Sequence, residues 1–363
     1  MKNSGYERIS ALDALRGMAV LLMLEQHLGF WLWDMGGNST QIEGLLIDHP
    51  IMVGINGLGG LAAPIFITLA GVGSILLQSR HGHGPILLIK RGIVMLLFGY
   101  ILNLLGRDWF TVGSWYVLHL IGISLIIAPL LHRLKTPVLA VLLLVTLLVA
   151  VGLQDYLKTP LLMDDRFMTD YDRAGGIIRL SLAEGHFPIF PWIFLFITGI
   201  IAGRWINARK LRNCILLGLS FLVIASAMLS FHYFTPAPAV VGPYSRALLP
   251  SLTFYPAMPI MVLMLASAVL FILVIFVIFD DSMAGKMWTP LVCLGRSSLS
   301  LLIAHIAVLS ALSRPLGFWK SLGVIETGAV TVTILVLVSI LAVLWRKAGY
   351  RYGAEWLLRK MTD

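Results

Sequence analysis

Ten runs of about twenty mostly apolar residues recur along the chain, at 11–33, 55–78, 84–105, 112–132, 136–154, 187–206, 211–234, 255–279, 289–312 and 322–345. Runs of that length match the hydrocarbon thickness of a bilayer, and backbone groups in lipid must be hydrogen-bonded within their own segment. The sequence therefore predicts an all-α, polytopic integral membrane protein with about ten transmembrane helices. Of 363 residues, 58% are hydrophobic and 12% charged, about half the charged fraction of a soluble chain. No polar stretch is long enough to build a second core, so residues 1–363 read as a single transmembrane domain.

Ten spans put both termini on one side. Basic residues gather in alternate connections: Arg80, Lys90 and Arg91; Arg133 and Lys135; Arg204, Arg209, Lys210 and Arg212; and the tail from Arg346 to Lys360. The opposite connections hold Asp34, Glu43 and Asp48, then the acid-rich stretch 155–186. The positive-inside rule places both termini in the cytoplasm, and the expected location is a bacterial cytoplasmic (inner) membrane. Asp280 and Asp281 are the exception, acids in an inside loop. The net charge of +9 serves topology in this reading and does not point to nucleic acid. Cys214 and Cys293 fall at or inside spans, where a structural disulfide is not expected. The first span carries Asp13, Arg16 and Glu25 and lacks a small-residue cleavage site, unlike a cleavable signal.

That first span, LDALRGMAVLLMLEQH from Leu12 to His27, is the candidate for chemistry. Charged groups inside a membrane segment cost several kcal/mol and by default face a protein interior or a water-filled cavity. Arg16 and His27 are eleven residues apart, three turns plus roughly 20°, so they share a face about 16 Å apart. His27 suits a general base or an acyl-accepting nucleophile. The alternative is an interfacial histidine bonded to a neighbouring helix. Arg16 stays protonated and could hold an anion, or it could pair with Asp13 one turn earlier. Glu25, on the opposite face, is expected to meet another helix. Trp31 and Trp33 read as interfacial anchors.

Weaker candidates follow. Asp48 and His49 are adjacent in an outer loop and could orient each other, or His49 could be a plain exposed histidine. Lys90 and Arg91 could bind phosphates of a nucleotide-like donor, or serve as positive-inside anchors. His119, Asn103 and His305 lie in spans and could line a cavity or satisfy an interhelical hydrogen bond. The glycine-rich GINGLGG lacks the Lys-Ser/Thr of a phosphate loop. No metal site is expected, and neither an inverted repeat nor a broken helix pair is evident.

RISALDALRGMAVLLMLEQH resembles the first-helix motif of the transmembrane acyltransferase superfamily, which includes the heparan-α-glucosaminide N-acetyltransferases and the acyltransferase-three proteins. In the latter an Arg and a His separated by ten residues mark the first helix, a spacing that Arg16 and His27 fit. LAAPIFITLAGVGSILL, IKRGIVMLLFGYILNLL, WYVLHLIGISLIIAPLL, FPIFPWIFLFITGIIAGRW and LGRSSLSLLIAH resemble the glucosaminide branch in order, from about residue 8 to 310. The resemblance implies an enzyme that takes acetyl-CoA from the cytosol and acetylates a sugar or glycan on the far side. The glucosaminide branch implies His49 as the catalytic histidine, the other branch His27. The tryptophan-containing outer-loop sequence of the glucosaminide branch is replaced here by PIMVGINGLGG.

The expected function is thus a membrane-embedded acetyltransferase. Its catalytic candidates are His27, His49 and Asp48, and its donor-binding candidates Arg16, Lys90, Arg91, His119 and Asn103. The partners are acetyl-CoA, a sugar or glycan acceptor and the bilayer, and a homo-oligomer is compatible with such a chain. The rival is a proton-coupled transporter of a small polar solute that uses the same Arg, Glu and His as a relay.

Overall fold

A computed structural model describes residues 9–34, 48–78, 84–107, 109–234, 245–248 and 253–362. Glu43 and Arg80, used above for orientation, lie outside them. Every apolar run carries helix. The main helices are α1 (Ser10–Leu32), α2 (Pro50–Gly59), α3 (Ala62–Gln78), α4 (Gly84–Leu105), α5 (Val117–Arg133), α6 (Thr136–Tyr156), α7 (Ile189–Asn207), α8 (Leu211–Phe234), α9 (Pro259–Ile278), α10 (Thr289–Arg296), α11 (Ser298–Ser313), α12 (Val324–Lys347) and α13 (Ala354–Thr362). Among the described residues there is no strand, only an isolated bridge between Trp33 and Leu322.

Seven stretches of the described residues are long and apolar enough to cross a membrane: α2 with α3, α4, α6, α7, α8, α9 and α12. The pair α10–α11 would make an eighth. Two of the ten expected spans are absent from this set. α1 holds Asp13, Arg16 and Glu25, and α5 has only 17 residues.

The ninth expected span is not continuous, against expectation. It bends by 65° between Lys286–Arg296 and Ser298–Val308. The Ser297 hydroxyl turns back onto the Cys293 carbonyl at 3.0 Å, a local bond that competes with the helical ladder. The freed N-terminus of α11 is then capped from α13. The Glu355 carboxylate accepts the Leu299 and Ser300 amides and the Ser300 hydroxyl. This satisfies donors that a helix start leaves open.

The chain forms two compact units, 1–66 with 275–361 and 67–274 with 362–363. In the first, α1 meets α10 backbone to backbone. A Cβ on Gly17 would lie 1.9 Å from the Leu291 oxygen, and one on Gly295 1.8 Å from the Asp13 oxygen. Only glycine permits this approach. The N-terminus of α1 is capped by Asp280, whose carboxylate accepts the Ala11 amide at 2.6 Å. An acid there is favoured by the open amides and dipole of the helix start, a local reason for the exceptional acid at 280. At the other end, the Trp31 and Leu32 carbonyls accept amides from Lys320, Ser321 and Leu322 at 2.7–3.1 Å.

In the second unit, α3 and α7 touch through another pair of glycines. A Cβ on Gly71 would lie 2.2 Å from the Phe196 oxygen, and one on Gly199 2.1 Å from the Thr68 oxygen. α7 is buried almost all round, with Trp192, Phe194 and Phe196 inside. The acid-rich stretch 155–186 is built around a buried acid rather than solvated throughout. Glu184 is 0% exposed, and its carboxylate accepts from Thr159, Arg173 and Arg179.

Candidate functional site

Near its N-terminus α1 presents Asp13, buried, to two arginines. Arg16 donates to Asp13 Oδ1 at 3.4 Å and Arg296 Nε to Oδ2 at 3.2 Å. The pairing considered for Arg16 is therefore present, and it is not the whole arrangement. Two guanidinium groups thus face one carboxylate, and both arginine side chains remain 31% exposed. Guanidinium groups so placed can take a phosphate or carboxylate in addition. The glycine crossing positions them: Gly17 follows Arg16, Gly295 precedes Arg296, and each glycine packs on the other helix. Arg296 carries no sequence signal of its own beyond the short motif LGR.

Three turns further on, His27 meets a second imidazole. Its Nδ1 lies 2.8 Å from His305 Nε2, and the rings stack with centroids 5.0 Å apart. Trp31 lies against both rings, at 5.4 Å from His27 and 6.0 Å from His305. Trp319 continues the stack against Trp31, and the Arg314 guanidinium covers Trp319 at 4.1 Å. Trp31 and Trp33 are thus not interfacial anchors. They are 1% and 4% exposed, because protein covers the face that the apolar pattern assigns to the interface. Beside Trp31 an apolar cavity of about 300 Å³ opens between Leu28, Leu312, Phe318, Val330 and Ile334.

Glu25 meets another helix, as its place on the wheel implies. Its Oε1 accepts from Asn56 of α2 at 3.4 Å, and the same amide donates to the Gln26 carbonyl at 3.2 Å. Asp48 and His49 are exposed. His49 precedes α2 and meets Trp33 edge-on at 5.6 Å. No hydrogen bond or ion pair joins Asp48 to His49 among the described residues.

The remaining candidates belong to the second unit. Lys90 is exposed and donates to the Thr362 carbonyl at 3.3 Å, while Arg91 is half-buried. Asn103 is buried and spends its amide hydrogens on the Val112 and Ser114 carbonyls at 3.1 and 2.9 Å. His119 is 0% exposed. Its Nδ1 accepts the Tyr116 amide at 3.3 Å, capping its own helix, and its ring fills the space over Gly99 between Tyr100, Trp115 and Tyr116. Both residues thus hold local turns. Among the described residues no three His, Cys, Asp or Glu side chains form a group able to hold a metal ion.

The arrangement of α1 can hold an anion at one end and move a proton at the other. Comparison with known proteins bears on which chemistry that is. No curated protein matches the chain. The sequence model of a family described as heparan-alpha-glucosaminide N-acetyltransferase, catalytic, matches residues 8–230. A second, described as a protein of unknown function (DUF418), matches residues 204–363. His27 and Arg16 fall in the first match, His305 and Arg296 in the second alone. The first match covers more than half of the sequence: the chain belongs to the heparan-alpha-glucosaminide N-acetyltransferase catalytic family, whose members are membrane acyltransferases.

Proposed function

We propose that this protein is an acetyl-CoA-dependent transmembrane N- or O-acetyltransferase, with residues 1–363 serving as one acyltransferase-like domain. Acetyl-CoA binds from the cytoplasm, and the acetyl group passes to an amine or hydroxyl of a sugar or glycan on the extracytoplasmic side. Both termini lie in the cytoplasm of a bacterial inner membrane. The observation that carries this reading is the polarity of α1. Arg16 and Arg296 share Asp13 at one end, and His27 is paired with His305 about 16 Å further along the same helix.

In this mechanism Arg16 and Arg296 hold phosphates of the donor, and His27 acts as the base. As the acceptor lone pair attacks the acetyl carbonyl, His27 takes the acceptor proton. The carbon–sulfur bond then breaks, and the proton passes to the departing CoA sulfur. A thioester is already a competent leaving group, so positioning and one base supply the catalysis. The same imidazole could instead carry the acetyl group briefly between donor and acceptor. His49, with Asp48, is the second candidate base, exposed and unpaired with Asp48. Lys90 and Arg91 are further candidates for the donor's phosphates, while Asn103 and His119 spend polar atoms on local bonds.

The bent pair α10–α11 favours a second reading, since broken helices mark ion and substrate sites in transporters. A proton-coupled transporter would use His27 and His305 as a relay. The two readings separate on one assay, release of free CoA thiol from acetyl-CoA by the purified protein, with glucosamine as acceptor probe. Thiol release above the uncatalysed rate supports acyl transfer. Absence of release with acetyl-CoA, with and without glucosamine, beside solute-driven proton uptake in proteoliposomes supports the transporter.

A further inference from the structure

His305 is not assigned a role by the mechanism above, yet it lies in hydrogen-bond contact with His27. Its two nitrogens face different partners. Nδ1 lies 2.9 Å from the Leu301 carbonyl oxygen, one helical turn back, and Nε2 lies 2.8 Å from His27 Nδ1. A carbonyl oxygen only accepts, so His305 Nδ1 carries the hydrogen. In the neutral ring Nε2 is then the bare nitrogen and accepts. His27 Nδ1 must therefore be the donor, which leaves the lone pair of His27 on Nε2. Each step is fixed by the one before it, starting from a backbone group that cannot change its role.

We infer that His305 is a positioning residue that sets the tautomer of His27 and aims its Nε2 lone pair as the base. This rests on the acetyltransferase reading of His27. When Nε2 takes the acceptor proton, the His27 Nδ1–H is already bonded to His305. The new positive charge is shared along a chain that ends on the Leu301 carbonyl, and no second proton has to move. Trp31, packed on both rings, keeps them nearly parallel, at 14° to one another. His305 lies in the part of the chain matched only by the family of unknown function. That C-terminal segment thus completes the base carried by the N-terminal one.

The test needs variants and a direct observation of the wild-type rings. His305→Leu removes the acceptor at similar volume. It is expected to lower kcat on the order of 10–100-fold while leaving the KM for acetyl-CoA unchanged. His305→Gln, whose amide oxygen can accept from His27 Nδ1, is expected to restore most of kcat. A merely structural His305 would give a loss of folded protein that Gln and Leu share. Nitrogen-15 NMR of the histidine-labelled wild-type protein, assigned with His27→Ala, should show His27 protonated on Nδ1 and bare on Nε2, whatever the variants do. His27 found protonated on Nε2, or His305→Leu with wild-type kcat, overturns the inference. If His27→Ala itself keeps wild-type transfer, the acetyltransferase role of His27 fails instead.

Discussion

His27→Ala is expected to lower acetyl transfer by about 10²–10⁴-fold, the usual contribution of a positioned general base. Binding of acetyl-CoA should persist, because the proposed mechanism assigns the donor's phosphates to Arg16 and Arg296, three turns away. Folding should persist too. The substitution leaves Trp31 packed on His305 and the 320–322 segment bonded to the end of α1. The rate is read as acetylated acceptor per folded protein, the donor affinity by titration. His49→Ala, at an exposed position edge-on to Trp33, should change the rate little. A large loss at His49 with none at His27 would exchange their roles. Normal acetylation by both variants would rule out a histidine base at either position.

Glu184→Ala is expected to lower stability strongly, on the order of 3–5 kcal/mol. Glu184 is 0% exposed, with Arg173 and Arg179 still 24% and 16% exposed. Thr159 donates to Oε1 at 2.6 Å, Arg173 to Oε2 at 3.0 Å, and Arg179 reaches both oxygens. Arg179 also donates to the Leu157 carbonyl, so the cluster ties the end of α6 to the segment before α7. Removing the carboxylate strands two guanidinium groups in a place built for one anion. Glu184→Gln, which keeps the shape and the Thr159 bond, should cost less. The check is the thermal unfolding midpoint in detergent: a clear drop for Ala, a smaller one for Gln. A wild-type midpoint for Glu184→Ala would show that the arginines re-solvate freely.

Most of the helices were legible in the chain because their cause is local. A run such as Thr136–Tyr156 is apolar throughout, and burying its backbone polar groups requires helix whatever packs beside it. Glu25 meeting another helix was legible for the same reason, since a carboxylate on the far side of α1 needs a partner. What escaped depends on contacts distant in sequence. His27 and His305 are 278 residues apart, and nothing in either neighbourhood names the other. Arg296 is 283 residues from Asp13, and Glu355 is 55 residues from the α11 amide it caps. The break at Ser297 was hidden because serine continues a helix as readily as it ends one. Here a local hydroxyl–carbonyl bond and a remote carboxylate decide the outcome. Trp31 and Trp33 misled because an apolar face reads alike whether lipid or protein covers it.

The decisive measurement is a calorimetric titration of acetyl-CoA into the purified, detergent-solubilised protein, with Arg16→Ala and Arg296→Ala beside it. Saturable binding to the wild type, weakened in both variants, is the expected result and would justify a search through amino sugars and glycans for the acceptor. No binding of acetyl-CoA or of longer acyl-CoAs, in protein shown to be folded, would contradict the acetyl-CoA donor and shift the reading of α1 to a proton pathway.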